Sequence, residues 1–186
     1  MHNFADQHGS LPPFAIMSPE GKPLLSWRIL LLPYLEHQKL LDEFHLDEPW
    51  DSPHNLTLLP KMPRIFEHFH GRTTPQPYTT YYRVFVGPGA AFDGSLGVSL
   101  KGFADGTSNT LLIVEAAEAV PWTKPDELPF LPDRPLPALG GHFPEVFVAA
   151  LSDGSVRTVQ RKLSDESLRA AITRSGGDNA ALGPDW

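Results

Sequence analysis

Cysteine is absent from these 186 residues, which removes disulfides, thiolate nucleophiles and Cys-ligated zinc from consideration. Positive charge is scarce as well. Fifteen Lys and Arg stand against 22 Asp and Glu, for a net charge of -7, and no basic stripe exists. That balance disfavours a nucleic-acid partner or an anionic membrane surface, both of which need clustered Lys and Arg. No long hydrophobic run is present: the most apolar stretch, 24–35, is too short for a membrane span and holds Arg28 and Pro33. No export signal precedes His2, so the chain reads either as a complete protein or as a soluble part whose N-terminal segment was removed. Signatures of hydrolytic catalysis are missing too, with neither a Gly-x-Ser-x-Gly elbow nor a His-Glu-x-x-His helix.

Proline is abundant. Its 20 residues are about twice the usual share and cluster at 12–13, 19–23, 49–63, 75–77, 121–137 and 144. Ordered but irregular chain between few regular elements is the expectation. The apolar share of 41% and the length suit one domain, 1–186, able to bury a core without covalent staples. Within it, 1–23 reads as a lead segment and loop, and 178–186 as a flexible tail.

Asp153-Gly154 lies between Val146–Leu151 and Ser155–Val159, and Asp-Gly between apolar runs predicts a hairpin with a type I′ turn. Both faces of 146–151 are apolar, which predicts a central strand covered on both sides. A second pair, Asp105-Gly106, opens a strand over 110–115. Tyr81–Val86 is a further strand, stopped by Gly87-Pro88-Gly89. Ser26 caps a helix over 26–44 with a break near Pro33, because Trp27, Leu30, Leu31, Tyr34, Leu35 and Leu41 keep the helical period. A short helix after Pro53 and a last one capped by Ser164 complete the set. The fold class is α+β: an antiparallel sheet of about four to six strands, a kinked N-terminal helix, a short C-terminal helix and long Pro-rich loops.

Candidate chemistry is sparse. His68 and His70 would share one face of a strand, as two metal ligands must, but two ligands make no site and solvated loop histidines are the simpler reading. Trp50, Asp51, His54 and Asn55 combine an aromatic face with polar groups, which suits a carbohydrate or metal pocket; turn formation around Pro53 explains the same residues. Asp105 and Asn109 could belong to an oxygen-rich cradle, although Asp, Ser and Asn in such turns fold back on nearby backbone N–H groups. Asp105, Gly106, Asp153 and Gly154 are structural turns on this reading. Ser108, His142 and Asp153 can be drawn as a triad with no motif behind it. No cofactor is expected and no enzymatic activity is indicated.

Four ordered blocks carry a resemblance. His2–Pro13, Leu25–Glu36 with its Ser26-Trp27-Arg28 core, Asp105–Thr110 and Asp153–Arg157 resemble a prepilin-like family of unknown function, related to pseudopilins and abundant in planctomycete-type bacteria. The resemblance extends from His2 to Gly177. The family's C-terminal signature has a histidine where this chain has Phe143, with His142 one residue earlier, and Phe66-Glu67-His68-Phe69 replaces a Cys-Pro-Ser-Asp block. The resemblance implies a pilin-like head, an N-terminal membrane helix missing from this chain, and an extracytoplasmic or cell-envelope place. It also implies protein partners, including its own kind in a filament-like assembly. Two other readings stand beside it: a module binding glycan or extracellular polymer through Trp50, Trp122 and the polar turns, and a metal-dependent hydrolase using His68 and His70.

Overall fold

Ser26 accepts the Arg28 N–H through its hydroxyl, as a cap should, yet the helix it starts, α2, spans only Trp27–Leu30. Pro33 then sits at the start of a 3-10 turn, Leu32–Leu35, and Glu36 takes φ 64 before a third short piece, Gln38–Leu41. The expected 26–44 helix is therefore three turns with two breaks. Proline supplies the first by removing a donor, and the left-handed Glu36 supplies the second. The computed structural model describes residues 1–68, 74 and 76–177. The expected tail at 178–186 lies outside the described residues.

The lead contains α1 (His2–His8), ended by Gly9 at φ 77, and a hairpin of β1 (Ala15–Met17) and β2 (Pro23–Ser26). Numbering Gln38–Leu41 as α3, the helix expected after Pro53 is α4, Pro53–Leu56, with Pro53 in the first turn and Ser52 as its cap. No helix among the described residues is long and apolar enough to cross a membrane.

The principal sheet is antiparallel, in the order β3 (Thr79–Arg83), β5 (Leu111–Pro121), β7 (Val146–Leu151), β8 (Val156–Gln160). With α5 (Asp165–Ile172), capped by Ser164, it makes the α+β class plain. Three expectations need correction. The strand at 81–86 is interrupted at Val84: Phe85–Val86 forms β4, which leaves the sheet to pair in parallel with β6, Leu128–Pro129. The strand at 110–115 runs on to Pro121, bulging at two places to do so. And β7 is central, between β5 and β8, but its two faces are covered unequally, since Phe147, Ala149 and Leu151 are buried while Val146, Val148 and Ala150 are half-buried.

The sheet separates two hydrophobic cores. Leu112 and Ile113 reach the first, an aromatic cluster that includes Phe4, Trp27, Phe44, Phe66, Phe92, Phe103 and Trp122. Leu111, Val114 and Ala116 face the second, where Phe147, Ala149 and Val159 meet Ala171 and Ile172 of α5.

The 151–155 turn forms the expected hairpin by a different route. Gly154 N–H donates to Leu151 O at 2.9 Å and Leu151 N–H to Ser155 O at 2.8 Å, while only Gly154, at φ 89, has positive φ. This is a type I turn closed by a left-handed glycine, not a type I′ turn. The Asp153 carboxylate selects it by accepting from both the N–H and the hydroxyl of Ser155, at 2.8 and 2.7 Å.

Candidate functional site

The four sequence blocks meet at two places. At one pole of the molecule, the two Asp-Gly turns are tied together: Ser152 N–H donates to Thr110 O at 2.8 Å and Asp153 N–H to Thr107 O at 3.0 Å. Helix α1 docks on the same pole, its His2 Nε2 lying 2.8 Å from Ser152 O. A Cβ on Gly154 would stand 3.4 Å from the His2 ring. Phe4 and Ala5 bury the inner face of the helix, Phe4 stacks on His8, and the Tyr34 hydroxyl donates to Gln7. Asp105 closes the pole from the C-terminal side by accepting the N–H groups of Gly176, at 2.6 Å, and Gly177, at 3.2 Å. Its carboxylate thus reaches a distant segment rather than its own turn. Asn109 does fold back, though as a donor to Asp105 O at 2.8 Å, and Thr110 donates to Gly106 O.

The second place is a buried clasp. Arg28 and Glu127, both shut off from solvent, pair at 2.8 Å, and Trp27 Nε1 donates to the same Glu127 oxygen at 3.0 Å. Arg28 also donates to the Ser26 hydroxyl and to Tyr82 O, with its guanidinium 4.7 Å from the Trp27 ring centroid. The other Glu127 oxygen accepts the Val84 N–H at 2.9 Å. Val84 is the residue at which β3 breaks from β4, so the carboxylate replaces a lost ladder acceptor. Burial pushes the Glu127 carboxyl up and the Arg28 guanidinium down, each opposed by the charge of the other. Arg83 and Lys124 add surface-side pairs to Asp126.

A second buried carboxylate, Glu115, sits where β5 and β7 diverge. The segment 138–140 enters the gap, with Gly140 N–H donating to Glu115 O and Ala117 N–H to Ala138 O. The Glu115 carboxylate accepts the Val148 N–H at 3.3 Å, again in place of a ladder carbonyl. His68 Nε2 is 3.3 Å from its other oxygen, and the His68 ring lies against Tyr82, Tyr81 and His142. A Glu–His pair is able to carry a proton, and these two side chains are only 1% and 4% exposed.

His70 lies outside the described residues. Among those described, no group of three His, Asp or Glu is arranged to hold a metal ion. The Trp50–Asn55 segment is a folded turn. Asn55 is fully buried and donates to the carbonyls of His45, Glu48 and Pro49 while accepting the His45 N–H. His54 stacks on His45 at 3.5 Å, Asp51 is exposed, and half-buried Trp50 has Lys124 over its ring at 5.7 Å. Trp122 offers no binding face: it is fully buried, stacked on Phe66 and bonded through Nε1 to Leu59 O. The drawn triad is not assembled, because the Asp153 carboxylate is turned to Ser155 and the His142 ring lies beside His68. Glu127 and the partnership of Arg28 with it escaped the sequence reading. Their one local signal is a charged residue inside an apolar stretch.

A family model described as "Protein of unknown function (DUF1559)" matches residues 1–70, which include α1 and the Trp27-Arg28 block. No curated protein and no solved structure matches the chain.

Proposed function

We propose that this chain is a noncatalytic, extracytoplasmic structural or assembly subunit related to pseudopilins, a head carried on an N-terminal helix. The observation that supports it best is the seating of α1. A head displayed on a helix needs a stiff junction, or the helix would swing free of what it carries. Here Phe4 enters the aromatic core while His2 meets Ser152 at the turn that begins β8, so one short helix touches both the irregular region and the sheet. Helical bonding is in register from the start, with Ala5 N–H donating to Met1 O at 3.0 Å, and an upstream helical segment would continue along the same axis.

The test is fractionation of the native source cells with an antibody raised against this chain. The proposal expects the protein in the envelope fraction, released by detergent and not by salt. Recovery in the cytosolic fraction would refute it.

A further inference from the structure

We propose that the surface built by residues 35–65 binds a second copy of this chain about a two-fold axis, the acidic Leu46 loop of each copy seated in the basic-rimmed groove of the other. Of the eight large apolar residues exposed among those described, Leu46, Leu56 and Ile65 fall within this one stretch. Single exposed apolar residues are ordinary, whereas a cluster of them marks a contact surface. Their exposure is fixed by the fold. Phe44 and Phe66 are both buried against Trp122, with ring centroids 5.9 and 5.8 Å from it. Leu46 and Ile65 stand two residues and one residue from that shared anchor, and so reach the surface as neighbours. The Lys61–Glu43 ion pair and the His54 bond to Glu43 O stitch the two segments together, while buried Asn55 holds the carbonyls of His45, Glu48 and Pro49. Beside Ile65, which is 60% exposed, lies a groove of about 380 Å³ with Leu35, Met62 and Pro63 in its lining. Arg64 and His37 stand at its rim, and Lys39 lines an adjoining hollow that shares His37 and Lys61.

Charge selects the occupant. Lys39 and Arg64 are exposed and take no ion pair among the described residues, and the same holds for Asp47 and Asp51 of the Leu46 loop. The groove thus offers an apolar floor with free cations, and the loop offers an exposed leucine with free carboxylates. A chain of net charge -7 repels its own copy, so association requires opposite signs to be matched locally. Groove and loop lie side by side, joined through Glu43. A surface of that kind is complementary to itself when turned about a two-fold axis, and each contact is then made twice.

The experiment is sedimentation equilibrium of the whole chain over a concentration series, which reads association in solution and leaves the envelope reading to its own test. The expected result is a reversible species of twice 20.5 kDa. One variant reverses the groove (Lys39→Glu with Arg64→Glu) and another reverses the loop (Asp47→Lys with Asp51→Lys); all four side chains are exposed, so the fold should stand. Each variant alone should associate about tenfold more weakly, because like charges then meet at both copies of the contact. An equal mixture of the two should recover the dimer, since each groove then faces a loop of opposite sign. Arg157→Glu with Lys162→Glu, the same charge change made on and just beyond β8, should leave association unchanged. A monomer at every concentration, a dimer indifferent to the groove and loop reversals, a mixture that stays monomeric, or equal weakening by the β8 pair overturns the proposal.

Discussion

Glu127 and Glu115 are buried in different regions and answer the same structural need. Each stands where the sheet loses a ladder partner, Glu127 at the β3–β4 break and Glu115 at the fork between β5 and β7, and each accepts the stranded backbone N–H. The surroundings differ. Glu127 is held by Trp27 and by a fully buried guanidinium that also bonds Ser26, and it joins the N-terminal block to a loop 99 residues away. Glu115 sits inside a sheet whose other bonds remain, beside His68, whose ring lies against two tyrosines. In the irregular region a charged pair does what regular hydrogen bonding does elsewhere. In the sheet region a carboxylate mends one missing rung.

That contrast can be broken from the Glu127 side first. Glu127→Ala, and equally Glu127→Gln, strands the buried Arg28 charge and should cost about 3–5 kcal/mol in denaturant unfolding. Replacing both partners by apolar residues of similar volume should recover most of that loss. Glu115→Ala leaves the Val148 amide without its acceptor and should cost about 1–3 kcal/mol, read in the same experiment. If the two losses are equal, the distinction drawn between the regions is wrong. Gly154→Ala puts a side chain at φ 89 and within reach of the His2 ring, for a loss of about 1 kcal/mol.

The smallest effect is one of pH. The Ser155 side chain and N–H hold the Asp153 carboxyl below its ordinary value of 3.8. A depressed carboxylate pKa means that the folded state binds the proton less readily than the unfolded one. Its contribution is complete above the ordinary value and is lost as pH falls through the folded one. A carbon-detected NMR titration should find the Asp153 midpoint below the usual aspartate range, and Ser155→Ala should move it back up.

The sheet region was the more legible in sequence. Val146–Gln160 announced its hairpin through two apolar runs flanking Asp-Gly, although glycine compatibility with more than one turn hid the turn type. The last part of β5, with Glu115, Ala116, Ala117, Glu118 and Ala119, carries no strand propensity, and only pairing with β3 and the 138–140 segment makes it one. Around 26–44 the helical period was real but misleading, because the same apolar spacing serves three turns packed on an aromatic core. Arg28 and Glu127 could not be paired from sequence, since no local pattern encodes a contact across 99 residues. The candidate site suffered most: Trp122 reads as a binding aromatic only until its burial is known.

The central claim is that the head is displayed outside the cytoplasm on a helix continuous with α1. The most direct measurement is labelling of intact source cells carrying E20C with a membrane-impermeant maleimide, which the cysteine-free background allows. The account predicts labelling of the protein in whole cells to the same extent as in lysates. Labelling that appears only after lysis would contradict it.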